Sequence, residues 1–231
     1  MGGGAALWGG FSSFFSIWQL CIMQISPFFV AFITGLYLAT LNQKAEAGIM
    51  RWVIPPCITY TAGFTLVYSL LIASGLSFSR PLLTNIGNLR ILAGVIILLA
   101  SLYIFLVNRL PSLGKLHHPL LLSVLSLAIG VSFALMYSPC ISPMLSDIMG
   151  LASQRNTAVE GWYLAFCYGL GTSIALCLVS IVLILFLENR KANLRIATIK
   201  NVCGIILLAA AVMNITGLMR HYKAFILGFL V

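Results

Sequence analysis

The sequence predicts an all-α membrane protein of six transmembrane helices, arranged as two inverted three-helix repeats whose first and fourth helices are long and broken at proline. Three observations carry that prediction. The composition is too apolar for a soluble surface, charges divide the chain into six apolar runs, and a segment marked by cysteine and proline occurs in the first run and again in the fourth.

Of 231 residues, 61% are hydrophobic and only 7% charged, and the mean hydropathy is +1.08. Soluble domains carry about 25% charged residues, so this chain needs the lipid bilayer as its solvent. The formal charge of +9 does not point to nucleic acid. The basic residues fall between apolar runs, where they set topology. The six cysteines, at 21, 57, 140, 167, 177 and 203, form no CxxC pair and no Cys/His spacing suited to a metal, so no metal site and no cofactor are expected. His117, His118 and His221 lie in basic loops. The start, Met1-Gly-Gly-Gly-Ala-Ala, lacks the basic region of a cleaved signal and the Ser/Thr of a myristoylation site.

A hydrocarbon core of about 30 Å takes roughly 20 apolar residues as helix. On that measure the spans are about 12–41, 53–76, 87–108, 119–150, 161–187 and 199–219. They form one polytopic domain over 1–231, with repeat 1 at about 12–108 and repeat 2 at about 119–219. The tail Lys223–Val231 is too short to cross and is expected at the interface. The odd connections carry Lys44, Arg51, Arg109, Lys115, Arg190, Lys191, Arg195 and Lys200, against Arg80, Arg90, Arg155, Arg220 and Lys223 on the other side. The positive-inside rule then places the odd connections in the cytoplasm and both termini outside.

The two long spans look like counterparts. Trp18-Gln-Leu-Cys-Ile-Met-Gln-Ile-Ser-Pro27 opens a helix in the first, and Tyr137-Ser-Pro-Cys-Ile-Ser-Pro143 opens one in the fourth. Tyr60–Thr65 likewise corresponds to Tyr168–Thr172, and Asn88–Leu99 to Thr198–Leu208, at offsets of 119, about 108 and 110. A duplicated unit of three helices ends on the face opposite its start, so the copy inserts upside down. Such repeats build a site near the midplane where their broken helices meet.

Proline removes an N–H and crowds the carbonyl four residues back, so Pro139 would free the carbonyl of Leu135 and Pro143 that of Pro139. Free carbonyls are tolerated at membrane depth only inside protein or beside a wet cavity, and Ser138 and Ser142 offer partners. Cys140 is then expected on a polar wall, where its thiol escapes the apolar burial that suppresses thiolate. A proline kink carrying an incidental small residue is the plainer alternative. For Asp147, two readings stand: a proton acceptor on the helical face of Cys140, or a solvated acid at the outer end of the broken helix. Gln19 and Gln24 flank Cys21, either hydrating its pocket or bonding between helices. Cys57, which follows Pro55-Pro56 at an expected helix start, and Cys167, Cys177 and Cys203 read as packing residues. Mid-span glycines at 63, 94, 130, 169, 171 and 204 mark close helix approaches.

The Ser-Pro-Cys-Ile-Ser-Pro motif, its counterpart at Cys21 and six spans in this length resemble the CcdA proteins. That family is related to the membrane domain of the thiol:disulfide interchange protein DsbD. The resemblance implies transfer of reducing equivalents across the membrane. Cytoplasmic thioredoxin reduces a disulfide between two intramembrane cysteines, here Cys21 and Cys140. The dithiol then reduces extracytoplasmic thioredoxin-like proteins, including those serving cytochrome c maturation. One departure stands out: Leu20 precedes Cys21 and Gln24 occupies the +3 position, so only Pro27, at +6, matches the family pattern in the first half. Two rival functions remain at this level: a small-solute or soft-metal transporter using the two thiols as ligands, and a structural membrane protein with kinked helices.

Overall fold

The computed structural model describes residues 2–15, 26–41, 49–73, 84–106, 119–136, 143–154, 156–189, 196–219, 221–222 and 224–225. Among them the regular structure is entirely α-helical: α1 Gly3–Phe15, α2 Ser26–Leu41, α3 Ile49–Ile72, α4 Ile86–Leu106, α5 Pro119–Met136, α6 Pro143–Ser153, α7 Ala158–Asn189 and α8 Ile196–Thr216. Four stretches among the described residues are long and apolar enough to cross a bilayer: Val53–Ile72, Gly87–Leu106, Ala158–Leu187 and Ala197–Thr216. The other two expected spans are each represented by two shorter helices, α1 with α2 and α5 with α6.

The first helix starts at Gly3, well ahead of the expected start near residue 12. Glycine is a poor helix former, which hides this segment from a propensity reading. Packing overrides it. The bare Cα of Gly3 lies against the Tyr163 ring, and that of Gly10 against the Tyr168 carbonyl. Ala6 and Gly10 are buried where α1 lies along α7. Thr172 donates a hydrogen bond across the crossing to the Gly10 carbonyl at 3.3 Å, and Ser13 donates to the same oxygen at 2.7 Å.

A second crossing repeats the first. On α3 and α5, Gly130 lies against the Tyr60 carbonyl and Gly63 against the Leu127 carbonyl. On α1 and α7, Gly10 lies against the Tyr168 carbonyl and Gly171 against the Leu7 carbonyl. Tyr60 and Gly63 stand 108 positions before Tyr168 and Gly171, while Leu7 and Gly10 stand 120 before Leu127 and Gly130. Each crossing is therefore built from a Tyr-x-x-Gly segment and a Leu-x-x-Gly segment. With no Cβ in the way, the backbones approach closely enough for dispersion to act over a large area, which in lipid replaces the hydrophobic drive.

Between the two crossings, α3 and α7 run antiparallel. Thr61 meets Cys177, Thr65 meets Ser173 at 3.4 Å, and Tyr68 stacks with Tyr168. Helices α4 and α8 are antiparallel as well: Asn214 donates to the Arg90 carbonyl at 2.8 Å and Ser101 to the Gly204 carbonyl at 2.9 Å. Gly217, at φ +78°, ends α8 in the left-handed conformation that glycine adopts without a Cβ penalty. Pro55 and Pro56 do not start a helix, as the sequence suggests; they lie inside α3, which begins at Ile49. Thr59 donates to both proline carbonyls, at 3.0 and 3.2 Å. Outward positions such as Ile58, Val124, Val182 and Ile205 are apolar and exposed, as a lipid-facing surface requires.

The doubled crossing gives a direct test. Gly171→Val forces a side chain into the Leu7 backbone and is expected to cost about 1–3 kcal/mol by overpacking. Gly150→Ala, where an added Cβ meets nothing within 4 Å, is expected to leave the melting temperature in detergent unchanged. Equal melting temperatures for the two variants would refute the close approach of α1 to α7.

Candidate functional site

The residues singled out from sequence fall into two groups. Cys21, Cys140, Gln19, Gln24, Ser138, Pro139 and Ser142 lie outside the described residues. Pro27, Pro143 and Asp147 lie within them, and they change the local picture. Pro27 is the second residue of α2, and Pro143 is the first of α6. Both are accommodated at the beginning of the described part of a helix, where proline's fixed φ is tolerated.

Asp147 is exposed on α6. The buried face of that helix is Leu145, Ile148 and Ala152, and Ala152 lies against Gly161 of α7. Asp147 stands off this face. The described cysteines, Cys57, Cys167, Cys177 and Cys203, are all buried and unbridged.

What the sequence reading missed is an aromatic column. Tyr60, Phe64 and Tyr68 recur every four residues along α3, a helical spacing that marks one face. Tyr60 packs on Phe64 at 5.9 Å, Phe64 on Tyr68 at 5.5 Å, and Tyr68 on Tyr168 of α7 at 6.5 Å. At its other end Tyr60 touches Phe29, in the first turn of α2, at 4.1 Å, and Phe133, in the last turn of α5, at 6.2 Å. Phe29 follows Cys21 by eight residues, and Phe133 precedes Cys140 by seven. The chain leading out of one cysteine segment and the chain leading into the other converge on one ring. Gly9 of α1, against the Met144 side chain of α6, joins the remaining two flanking helices.

The column is not wholly apolar. The Tyr60 hydroxyl and the Thr34 Oγ1 are buried with no hydrogen-bond partner among the described residues. Buried polar atoms are costly unless satisfied, so their presence between the halves marks an interior that is not pure hydrocarbon.

No family model matches the chain, and no solved structure matches it. Among curated proteins it is 26% identical over 231 residues to the cytochrome c-type biogenesis protein CcdA of Halalkalibacterium halodurans, covering 96% of this chain and 93% of that protein. This chain is a relative of the CcdA proteins. It is also 26% identical over 154 residues to a putative cytochrome c-type biogenesis protein of Haemophilus influenzae, over 61% of this chain and 71% of that one. The relation to CcdA runs so nearly end to end that Cys21 and Cys140 both fall within its length. With four membrane-length helices, this CcdA relative is an integral membrane protein.

The ring of Tyr60, rather than its hydroxyl, joins α2 to α5. Tyr60→Ala is expected to destabilise the protein by about 3–5 kcal/mol through the cavity it leaves. Tyr60→Phe is expected to leave thermal stability in detergent nearly unchanged. A Phe variant as unstable as the Ala variant would show that the hydroxyl, not the ring, holds the two segments.

Proposed function

We propose that this protein carries reducing equivalents across the membrane by thiol–disulfide exchange, with Cys21 and Cys140 as the working pair. Cytoplasmic thioredoxin is the donor. Thioredoxin-like proteins on the opposite face, including those of cytochrome c maturation, are the acceptors, and both termini lie on that face. The observation that carries this reading is the convergence on Tyr60 of helices α2 and α5, the elements next in sequence to the two cysteines. The end-to-end relation to a cytochrome c biogenesis protein supports it independently.

The chemistry asks little else of the protein. A thiolate of the donor attacks one sulfur of the disulfide, a mixed disulfide forms, and a second thiol of the donor resolves it. The intramembrane pair leaves as a dithiol and repeats the exchange in reverse with the acceptor. No bound cofactor is needed. What the protein must supply is a site reachable from each side in turn, which two inverted halves provide.

The arrangement of two inverted three-helix repeats is supported by the doubled Tyr-x-x-Gly and Leu-x-x-Gly crossing. The contact between Thr65 and Ser173, matched positions 108 apart, supports it further, since residues related by a pseudo-two-fold axis meet each other only on that axis. Helix directions agree. α1 lies parallel to α7, while α3 opposes α7 and α4 opposes α8, as six alternating passes require.

A trapping assay tests the proposal. Thioredoxin lacking its resolving cysteine is expected to form a covalent adduct with the wild-type protein, and Cys140→Ser combined with Cys21→Ser is expected to abolish it. Failure to form any adduct in the oxidised wild-type protein, with thioredoxin shown to be active, would refute the exchange mechanism.

A further inference from the structure

Two cysteines outside the proposed working pair meet across the helix interface: Cys57 of α3 and Cys177 of α7 are separated by 120 positions, yet the Cys177 thiol reaches the Cys57 residue itself. Cys177 donates toward the Cys57 carbonyl at 3.8 Å, and the Thr61 hydroxyl lies 3.6 Å from the Cys177 sulfur. Both side chains are buried, and neither is bridged. Beside them opens a cavity of about 430 Å³ between α3 and α7, walled by Ile54, Ile58, Phe166, Ile174 and Leu178. Ile58 and Leu178 are exposed on the lipid-facing surface, so the cavity is entered from that side. Cys57 stands four residues inside the span Val53–Ile72, roughly 6 Å by helical rise, close to one face of the membrane.

We propose that Cys57 and Cys177 form a second dithiol–disulfide couple, oxidised by a small apolar organic disulfide that enters through this cavity. With the Cys177 sulfur 3.8 Å from the Cys57 carbonyl and both cysteines lining one cavity, side-chain rotation can bring the two sulfurs toward a bonded separation of about 2.05 Å. The surroundings select the product. A soft monovalent cation held by two thiolates would leave one net negative charge among apolar walls, which is costly. A disulfide is neutral. The apolar lining therefore favours the bridged form over a metal complex, and it favours an apolar co-reactant over a charged one.

Cys177 is the attacking sulfur, because the Thr61 hydroxyl, 3.6 Å away, can donate a hydrogen bond to it. Its thiolate attacks one sulfur of the disulfide R–S–S–R. A bond forms from Cys177 Sγ to that sulfur, the R–S–S–R bond breaks, and the departing R–S⁻ takes up the proton that Cys177 lost. Cys57 Sγ then attacks Cys177 Sγ and expels the second R–S⁻, which takes up the proton of Cys57. Two cysteine thiols are oxidised and one organic disulfide is reduced to two thiols. The product ties α3 to α7. This couple does not depend on the role proposed for Cys21 and Cys140, and its test leaves that role aside.

The probe is 4,4′-dithiodipyridine, an apolar aromatic disulfide, applied to the full-length protein in detergent micelles. In wild-type protein, peptide mapping is expected to find Cys57 joined to Cys177, with no pyridyl group kept on either. In Cys57→Ser, Cys177 is expected to keep a pyridyl mixed disulfide, since its resolving partner is gone. The proposal is overturned if wild-type Cys57 and Cys177 each keep a pyridyl group. It is overturned equally if both stay unreacted or bridge to other cysteines. The wild-type mapping does not rely on any variant folding.

Discussion

Backbone contact at glycine is the constraint on which the rest of this structure depends. In lipid the helices gain nothing from hiding apolar surface, so they hold together by contact area and a few hydrogen bonds. Contact area grows steeply as axes approach, and only positions without a Cβ permit the approach seen at Gly10 and Gly171, and again at Gly63 and Gly130. Once α1 is seated on α7 and α5 on α3, little freedom remains. α6 must pack on α7 through Ala152 and Gly161, and α2 must fill the space beside α8, where Gly35 faces Cys203 and Ile104.

Much of this was legible in the residues, and the failures have physical causes. The apolar runs of 53–72, 87–106, 158–187 and 197–216 declare themselves because a bilayer demands length and hydropathy together. The glycines at 63, 130 and 171 read correctly as close approaches. Gly10 did not, because a run of glycine near a chain start looks like a helix breaker until a partner helix compensates its entropy cost. Pro55-Pro56 misled in the opposite sense. A proline pair suggests a helix boundary, but α3 continues through it, and Thr59 takes up both proline carbonyls. The meeting of Cys57 and Cys177 was not legible at all. Their spacing of 120 differs from the 108 that relates matched positions of α3 and α7, and only the antiparallel pairing of these helices brings them together.

The aromatic column explains how a packed interior can still host chemistry. Aromatic rings fill space with few rotatable bonds, so Tyr60 can hold Phe29 and Phe133 in register at little entropic cost. The column also carries a polar atom at its end, the Tyr60 hydroxyl.

The same reasoning separates the two cysteine pairs. Exchange with a protein partner requires a sulfur that water and a docked thioredoxin can reach, and that can carry charge for part of the cycle. Cys57 and Cys177 sit in the opposite setting, with hydrocarbon walls, one hydroxyl and each other. There a charged intermediate is less favoured than the neutral disulfide. A bridge at that point ties the middle helix of one half to the middle helix of the other.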